Sequence, residues 1–528
     1  MPSNGFMNQS RSPAGMIFAV IGMGYVLLSL LLSTGNQLGG FFGYLLGGSL
    51  LFGIWRPKAA VLLMLIISGY IDWAKRLLVV ADRVTFTDLA FVLGLAPALM
   101  AGITIGAFFQ GIQGRLAFGK NQLKAILVIL VTLVVSLIIA RKESGGVMAA
   151  LQEVANTAGY SCFLFVIPLL YSKAEDQVKL IRWVLIAYLP IPLYGIYQAA
   201  FGLADYEIEY LKTGMSILIQ QLITGDVRPF STLNSPTALG AICGIMALWS
   251  FLSGPLTAKG RRFPHPVHFV LGICYVGGLL ASTSRSDFFI LIFGTVMTLT
   301  LMNPFLLKLF YGFAISGYIT LILISGWLQS RLADIQIFIS TLLPPEFQFI
   351  EQLTRVQTFS DRLEGFRQLS SNSQVWSLFG VSDEVRESIY SHDPLTQSLL
   401  AYGAVTVGLI IVIFGWLLTR THRRMHLIKE PRERWLAALA LGTAGSVVAT
   451  SMLSGSRTSI FPITVFLWLM LGFIWARISA NQKNVVAGEA ANSLPKPLRQ
   501  SHHRFLPASV MERMPSGASD QFTNRGFE

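Results

Sequence analysis

Long apolar stretches separated by short polar segments cover most of the chain between residues 15 and 476. A membrane-spanning helix needs about 20 mostly apolar residues. The pattern therefore predicts an all-α polytopic membrane protein with about fourteen transmembrane helices. The predicted spans are residues 15–32, 39–55, 57–71, 89–107, 123–140, 156–171, 179–201, 235–253, 267–282, 285–302, 305–327, 394–419, 435–452 and 459–476.

The polar segments divide the chain into five regions. A segment of 66 residues is too long to be a simple connection between two helices, so we expect the large loop to be functional. The C-terminal region has few aliphatic residues and is predicted to be disordered. A shorter loop, Asp72–Asp88, is predicted to form an amphipathic helix in the outer interface. The regions are an N-terminal segment 1–14, a membrane region 15–327 with about eleven spans, the large loop 328–393, a membrane region 394–476 with about three spans, and a tail 477–528.

Charge supports this class and sets an orientation. Only 13% of the residues are charged and 53% are hydrophobic, whereas soluble proteins carry about 25% charged residues. The formal net charge is +13, but Lys and Arg concentrate in one alternating set of short loops, most strongly in Thr419–Arg434. Because such loops stay in the cytoplasm, both termini are predicted to be cytoplasmic and the large loop to lie outside. The basic balance therefore gives no reason to expect nucleic acid as a partner.

The sequence contains no motif for a disulfide, a metal site or a nucleotide site. The three cysteines, Cys162, Cys243 and Cys274, all lie in apolar stretches, which predicts neither a disulfide nor a metal cluster. No P-loop, glycine-rich nucleotide motif or zinc-ligand spacing occurs. We therefore expect no cofactor and no metal site.

The candidate chemistry lies at the outer starts of four predicted helices. Helices that begin near Ser235, Arg285, Pro394 and Ser459 run inward, so the positive ends of their dipoles face outward. Backbone N–H groups and guanidinium groups together form a typical phosphate site. We expect these helix starts to converge on one anionic substrate. A cation or potential cation precedes or opens each helix: Arg228, Arg285, His392 and Arg457.

Each of these residues also has a simpler structural explanation. Arg228 and Arg457 can be solvated boundary charges, and Arg285 can pair with Asp287, two residues later. His392 can be an ordinary loop residue. Asp393 is favourable as the N-cap of a helix whose first residue is Pro394.

Three stretches resemble the O-antigen ligase/polymerase superfamily of bacterial envelope proteins. The first is Arg228–Gly240, which has an arginine, small residues and then Asn-Ser-Pro at a helix start. The second is Ser282–Ser286, with Ser-Arg at the outer end of a span. The third runs from Asp361-Arg362 through Gly380 and His392 to Gly403. The sequence departs from the family pattern at three positions, which suggests a divergent branch such as an exopolysaccharide polymerase. The departures are Thr237 for Asn, Asp393 for Asn, and Gly380-Val-Ser382 for Gly-x-Gly.

The resemblance implies a GT-C-like, lipid-dependent glycosyltransferase in the bacterial inner membrane, with a large periplasmic loop. Such a protein transfers glycan from undecaprenyl pyrophosphate to an acceptor sugar on the periplasmic side, without a metal and with inversion. The implied partners are the lipid-linked oligosaccharide donor, the glycan acceptor, membrane lipid and other polysaccharide-assembly proteins. His392 is the implied base, and the implied pyrophosphate or glycan ligands are Arg228, Asn234, Arg285 and Arg362. Arg457 is added as a ligand because it precedes the helix that begins near Ser459.

Two other classes remain open at this stage. A flippase or polysaccharide exporter would also have many spans, and Pro190 and Pro192 mark a broken helix of the kind that transporters use. The predicted spans carry no clear mid-span charge, which favours the transferase. A non-catalytic assembly scaffold is the third class.

Overall fold

The computed structural model is all-helical throughout the residues it describes. The predicted span 15–32, nearly all of the predicted span 305–327 and most of the loop 328–393 lie outside those residues. Described are residues 38–303, 369–381 and 394–493, together with scattered positions between 305 and 320, and with interruptions within 82–85, 115–119, 145, 217–227, 257–263, 370, 379, 426–429 and 455–459.

The chain divides into two units, residues 1–481 and 482–528. The helices belong almost entirely to the first unit. In chain order they are α1 (Leu38–Trp55), α2 (Pro57–Val80), α3 (Phe86–Leu93), α4 (Leu95–Ile112), α5 (Lys120–Ser144), α6 (Val147–Asn156), α7 (Phe163–Leu170), α8 (Ala174–Ala187), α9 (Pro190–Phe201), α10 (Asp205–Lys212), α11 (Pro236–Phe251), α12 (Pro266–Ala281), α13 (Phe288–Leu301), α14 (Pro394–Met425), α15 (Pro431–Ser454) and α16 (Ile463–Ser493).

Proline fixes where several helices begin. A proline suits the first helical position because its backbone has no N–H to leave unpaired and its φ angle is already helical. Pro57 separates α1 from α2, as the sequence predicts, and Pro394 opens α14 at the predicted residue. Pro236 opens α11 behind Ser235, whose hydroxyl accepts a hydrogen bond from the Ala238 N–H at 3.1 Å.

Helices α2 and α16 extend furthest beyond their predicted ends. The predicted span 57–71 continues to Val80, so part of the predicted interfacial helix belongs to α2 instead. This continuation is possible because Arg76 is buried against a carboxylate rather than exposed to lipid. Helix α16 continues to Ser493, so the first part of the predicted tail is helical.

The described residues contain helices suited to a membrane. Three are long and apolar enough to cross one, and a fourth is added if a pair bent by 45° counts as one span. The predicted total of about fourteen spans is not confirmed. The three are Leu95–Ile112, Lys120–Arg141 and Ala174–Phe201, the bent pair is Ala149–Asn156 with Ala158–Leu170, and shorter apolar helices are Phe41–Trp55, Pro236–Phe251, Pro266–Ala281 and Ile463–Ser479.

The ion pairs among the described residues of the first unit lie at two opposite ends of its helices. At the first, the Lys58 end, Lys58 pairs with Asp176 at 2.8 Å and Arg477 pairs with Glu433 at 2.6 Å. All four of these residues lie in or beside segments predicted to be cytoplasmic. The second, the Arg76 end, contains Arg76 and its partners. Lys58 lies near the start of α2 and Arg76 near its end, so the two groups are separated by most of the length of α2.

A proline break divides the long helix formed by α8 and α9. Pro190 has no N–H, and the turn before it is tightened, so the carbonyls of Leu185 and Ala187 lose their usual helical partners. The Tyr275 hydroxyl donates to the Leu185 carbonyl at 2.6 Å, and the Tyr70 hydroxyl donates to the Ala187 carbonyl. Both carbonyls are therefore satisfied by tyrosines from neighbouring helices.

We expect Tyr275→Phe to destabilise the protein by roughly 1–3 kcal/mol, because it leaves a buried carbonyl without its donor. Thermal unfolding of the purified protein in detergent measures the change. Tyr197→Phe is the matched control, since that side chain is half exposed. An equal melting temperature for the Tyr275→Phe and parent proteins would contradict the assigned role of the hydroxyl.

Candidate functional site

A buried ion pair organises the Arg76 end. The Arg76 guanidinium donates to Glu207 at 3.1 Å, and the two side chains are 2% and 0% exposed. Removing either side chain would leave the other as an uncompensated buried charge, which is very costly, so the burial of each depends on the other.

Gln198 connects the ion pair to the segment before α11. Its amide nitrogen donates to both carboxylate oxygens of Glu207, at 2.8 and 2.9 Å. Its amide oxygen accepts the backbone N–H groups of Phe230 and Ser231, at 3.1 and 2.6 Å. Arg76 also donates to the Ser231 carbonyl and lies over the Phe230 ring at 4.6 Å. The backbone at Phe230 and Ser231 is therefore held from both sides.

Arg228 lies just before this fixed segment and contacts the turn that follows α12. Its Nε donates to the Thr283 hydroxyl at 2.8 Å, and one terminal nitrogen donates to the Ser282 carbonyl at 3.3 Å. The structure thus brings together the Arg228 segment and the turn that carries Arg285. These are two of the three stretches that the sequence analysis singled out.

The turn after α12 packs closely against α11. A Cβ atom on Gly240 would lie 2.5 Å from the Asp287 carboxylate and 2.8 Å from the Ser282 hydroxyl. Only glycine allows this approach, because any larger side chain would displace both polar groups. The short 3-10 helix Arg285–Asp287 therefore starts beside the first turns of α11.

Two residues of this region have strained backbones. Ser231 has a φ of 55° and Thr283 a φ of 52°, and within the described part of the chain they are the two non-glycine residues with positive φ. A β-branched residue such as Thr283 is a clear outlier there. Strain of this kind persists only where surrounding contacts enforce it, and it concentrates at functional sites.

The predicted site residues fall into two groups. Arg228 and Arg285 lie near each other in sequence-distant but touching segments and are partly buried, and Asn234 is exposed in the turn before Ser235. Outside the described residues lie His392, Arg362 and Arg457, so their approach to Arg228 remains a prediction.

The region around α14 shows the structural role of Gly380 and Gly403, the two glycines of the third stretch. Helix α14 breaks at Gly403, where φ is 80° and ψ is 163°. Across the break, the Ala404 N–H donates to the Ser377 carbonyl at 2.8 Å, and the Val381 N–H donates to the Leu400 carbonyl at 2.8 Å. A Cβ on Gly403 would overlap the Leu378 carbonyl and the Gly380 nitrogen. Residues 377–381 of the large loop are therefore bonded into the interrupted helix.

The described residues contain no group of three or more His, Cys, Asp or Glu side chains suited to a metal ion. The three cysteines are free thiols: Cys162, Cys243 and Cys274.

Sequence reasoning missed the Arg76–Glu207–Gln198 network. It placed Arg76 in an amphipathic interfacial segment because the apolar pattern weakens after residue 71. A usable signal was present, since no glycine or proline interrupts the chain between Ile71 and Val80. The partner Glu207 lies 131 residues away, a distance that no local pattern bridges.

Neither a family model, nor a curated protein, nor a solved structure matches this chain. The resemblance to the O-antigen ligase/polymerase superfamily therefore depends on the three stretches alone.

We expect Glu207→Gln to destabilise the protein by about 3–5 kcal/mol, because it leaves the Arg76 charge buried without a counter-charge. Asp205→Asn on the same short helix is the matched control and should change stability by less than about 0.5 kcal/mol, since Asp205 is exposed. Unfolding in detergent measures both. Adding Arg76→Met to Glu207→Gln should recover part of the loss, and a double variant no more stable than Glu207→Gln alone would argue against the ion pair as the cause.

We expect Gly403→Ala to prevent stable folding, because the alanine meets both an unfavourable backbone conformation and the Leu378 carbonyl. Gly408→Ala, five residues later on the same helix, should be tolerated because no atom lies within 4 Å of the added methyl group. The yield of monodisperse protein after detergent extraction measures the difference. Equal yields for the two variants would contradict the close approach at Gly403.

Proposed function

We propose that the protein is a membrane glycosyltransferase that transfers or polymerises glycan units from an undecaprenyl-pyrophosphate carrier to an acceptor sugar, for exopolysaccharide or O-antigen synthesis. The observation that carries the proposal is the hydrogen bond from Arg228 to Thr283, 55 residues apart. It joins two stretches that the resemblance requires at one site. Arg285 opens the 3-10 helix before α13, and Arg228 contacts the turn just before it. An anion is favoured at such a helix start.

The chemistry follows from the charge that develops during transfer. As the glycosidic bond breaks, the pyrophosphate gains negative charge, and fixed cations at that point lower the barrier. Arg228 and Arg285 supply two such cations on backbones that the Gln198 and Gly240 contacts fix in place. Arg362 and Arg457 are proposed as further ligands from outside the described residues, and Asn234 as a polar contact in the turn.

His392 is proposed to take the proton from the acceptor hydroxyl. Its unperturbed pKa of about 6.5 suits a base at neutral pH, whereas an arginine stays protonated. The acceptor oxygen forms a bond to the anomeric carbon as the bond to the pyrophosphate oxygen breaks. Direct displacement inverts the anomeric centre and needs no metal ion.

The two polar ends of the helices support the proposed placement in the inner membrane. The Lys58 end contains basic segments of the set predicted to be cytoplasmic, and the Arg76 end contains segments predicted to face the periplasm. The GT-C-like architecture is proposed from the resemblance, and the cytoplasmic placement of both termini from the distribution of Lys and Arg among the loops.

A flippase or exporter remains the second candidate, and the helix break before Pro190 is the observation that favours it. In transporters, the freed carbonyls of such breaks coordinate ions or substrate. Here the hydroxyls of Tyr70 and Tyr275 already occupy the carbonyls of Ala187 and Leu185. Both freed carbonyls are therefore already hydrogen-bonded within the protein and are not open to an ion or substrate. For this reason we favour glycan transfer over transport.

We expect Arg228→Ala and Arg285→Ala each to lower transfer from a purified lipid-pyrophosphate glycan donor by roughly a hundredfold, as removal of one charge-stabilising donor does. Arg56→Ala is the matched control, because Arg56 opens α2 at the opposite end and is exposed. His392→Ala should abolish transfer while leaving donor binding intact.

Binding and transfer are measured on the same preparations. Parent-like transfer by both arginine variants would remove the proposed mechanism. Movement of the donor across vesicle membranes without any new glycosidic bond would instead favour the transporter.

A further inference from the structure

Five aromatic residues form a continuous surface at the Arg76 end, which we name the aromatic ledge. The rings of Tyr194 and Tyr197 stack with centroids 6.0 Å apart and an angle of 11° between their planes. The ring of Phe201 lies 5.1 Å from that of Tyr197. Trp73 from α2 and Tyr206 from α10 complete the ledge. Tyr206 is hydrogen-bonded to both Trp73 and Tyr194.

The polar atoms of Trp73, Tyr194 and Tyr206 are hydrogen-bonded within the protein. The Trp73 indole N–H donates to the Tyr206 hydroxyl at 3.0 Å, and the Tyr194 and Tyr206 hydroxyls are 2.7 Å apart. The Tyr206 hydroxyl donates to the Glu207 carboxylate at 3.3 Å. The ring surfaces of the outer members stay accessible, with Trp73 39%, Tyr197 50% and Phe201 77% exposed. The ledge is therefore an apolar aromatic surface whose orientation is fixed from behind.

This arrangement differs from an aromatic belt at a lipid headgroup layer. In a belt, tryptophan and tyrosine place their polar edges in the headgroups and water. In the ledge, the polar edges of Trp73 and Tyr206 are already bonded within the protein. Asp205 and Glu209, which flank Tyr206 on α10, are exposed carboxylates. They repel phosphate headgroups and can accept hydrogen bonds from hydroxyl groups.

We infer that the aromatic ledge binds a glycan. The apolar C–H faces of sugar rings suit exposed aromatic faces, and sugar hydroxyls suit neighbouring carboxylates. Glu207 connects the ledge to the candidate pyrophosphate site, because it also binds Gln198, whose amide oxygen fixes Ser231 three residues after Arg228. The role of the ledge as the subsite for the donor or acceptor sugars rests on the proposed function, whereas glycan binding itself does not.

The test uses the tryptophan fluorescence of the full-length protein in lipid nanodiscs. A panel of short neutral oligosaccharides built from glucose, galactose or mannose is titrated into parent protein and Trp73→Phe. We expect at least one member to change the emission of the parent and not that of Trp73→Phe. Trp183→Phe is the matched control, because Trp183 is an exposed tryptophan on α8, on the other side of the Pro190 break from the ledge, and should leave the response intact.

Affinity for the same oligosaccharide gives a second measurement. We expect Tyr197→Ala to weaken binding about tenfold, equivalent to about 1.4 kcal/mol. Phe269→Ala, an aromatic residue at the opposite end that is also 50% exposed, should bind as the parent does. Binding of lipid-linked pyrophosphate should be unchanged in Tyr197→Ala, which separates the ledge from the Arg228 site.

Three results would overturn the inference. They are no response to any oligosaccharide of the panel, an equal response in parent and Trp73→Phe, and quenching of the Trp73 emission by brominated phosphatidylcholine in the nanodisc. The last result would assign the ledge to the lipid layer. A parent protein that binds the oligosaccharide but neither binds lipid-linked pyrophosphate nor transfers glycan would contradict the proposed function. It would not contradict glycan binding by the ledge.

Discussion

The burial of the Arg76 charge is the constraint on which this end of the molecule depends. A guanidinium removed from water is stable only with a counter-charge and with partners for its remaining N–H groups. Glu207 supplies the charge, and the carbonyls of Asp72 and Ser231 accept further hydrogen bonds. Helix α10 and the segment before α11 must therefore lie against α2. Arg228 is positioned as a consequence, because it immediately precedes the segment that Arg76 fixes.

A related constraint governs the interruptions of the helices. In an apolar surrounding, a backbone group without a partner costs several kcal/mol, so every break must be satisfied from within the protein. Tyrosine hydroxyls satisfy the break between α8 and α9, and the backbone from Ser377 to Val381 satisfies the break at Gly403. Each solution bonds together segments that are distant in sequence. The helix breaks thus contribute to tertiary structure rather than weakening it.

These constraints explain which features could be predicted from the sequence. Helix starts at Pro57 and Pro394 follow from local backbone chemistry. The outward placement of the arginines stays a prediction from the pattern of spans and basic loops. The Arg76–Glu207 pair does not, because a local pattern records only that α2 carries a charge and not which distant side chain neutralises it. Without that partner, ending the span at residue 71 was the reasonable prediction. The bond between Arg228 and Thr283 was anticipated only as an expected convergence of helix starts.

The strained backbones of Ser231 and Thr283 have a physical explanation in the same contacts. Ser231 is held by Gln198, Arg76 and its own hydroxyl bond to the Ile191 carbonyl, while Thr283 accepts a hydrogen bond from Arg228. Strain is maintained because releasing it would break several bonds at once. Glu207 bonds to both the aromatic ledge and Gln198, so the ledge and the Arg228 turn are rigidly connected. Under the proposed function, a donor with sugar rings at one end and pyrophosphate at the other would contact the ledge and the Arg228 turn together, with Glu207 bonded between them.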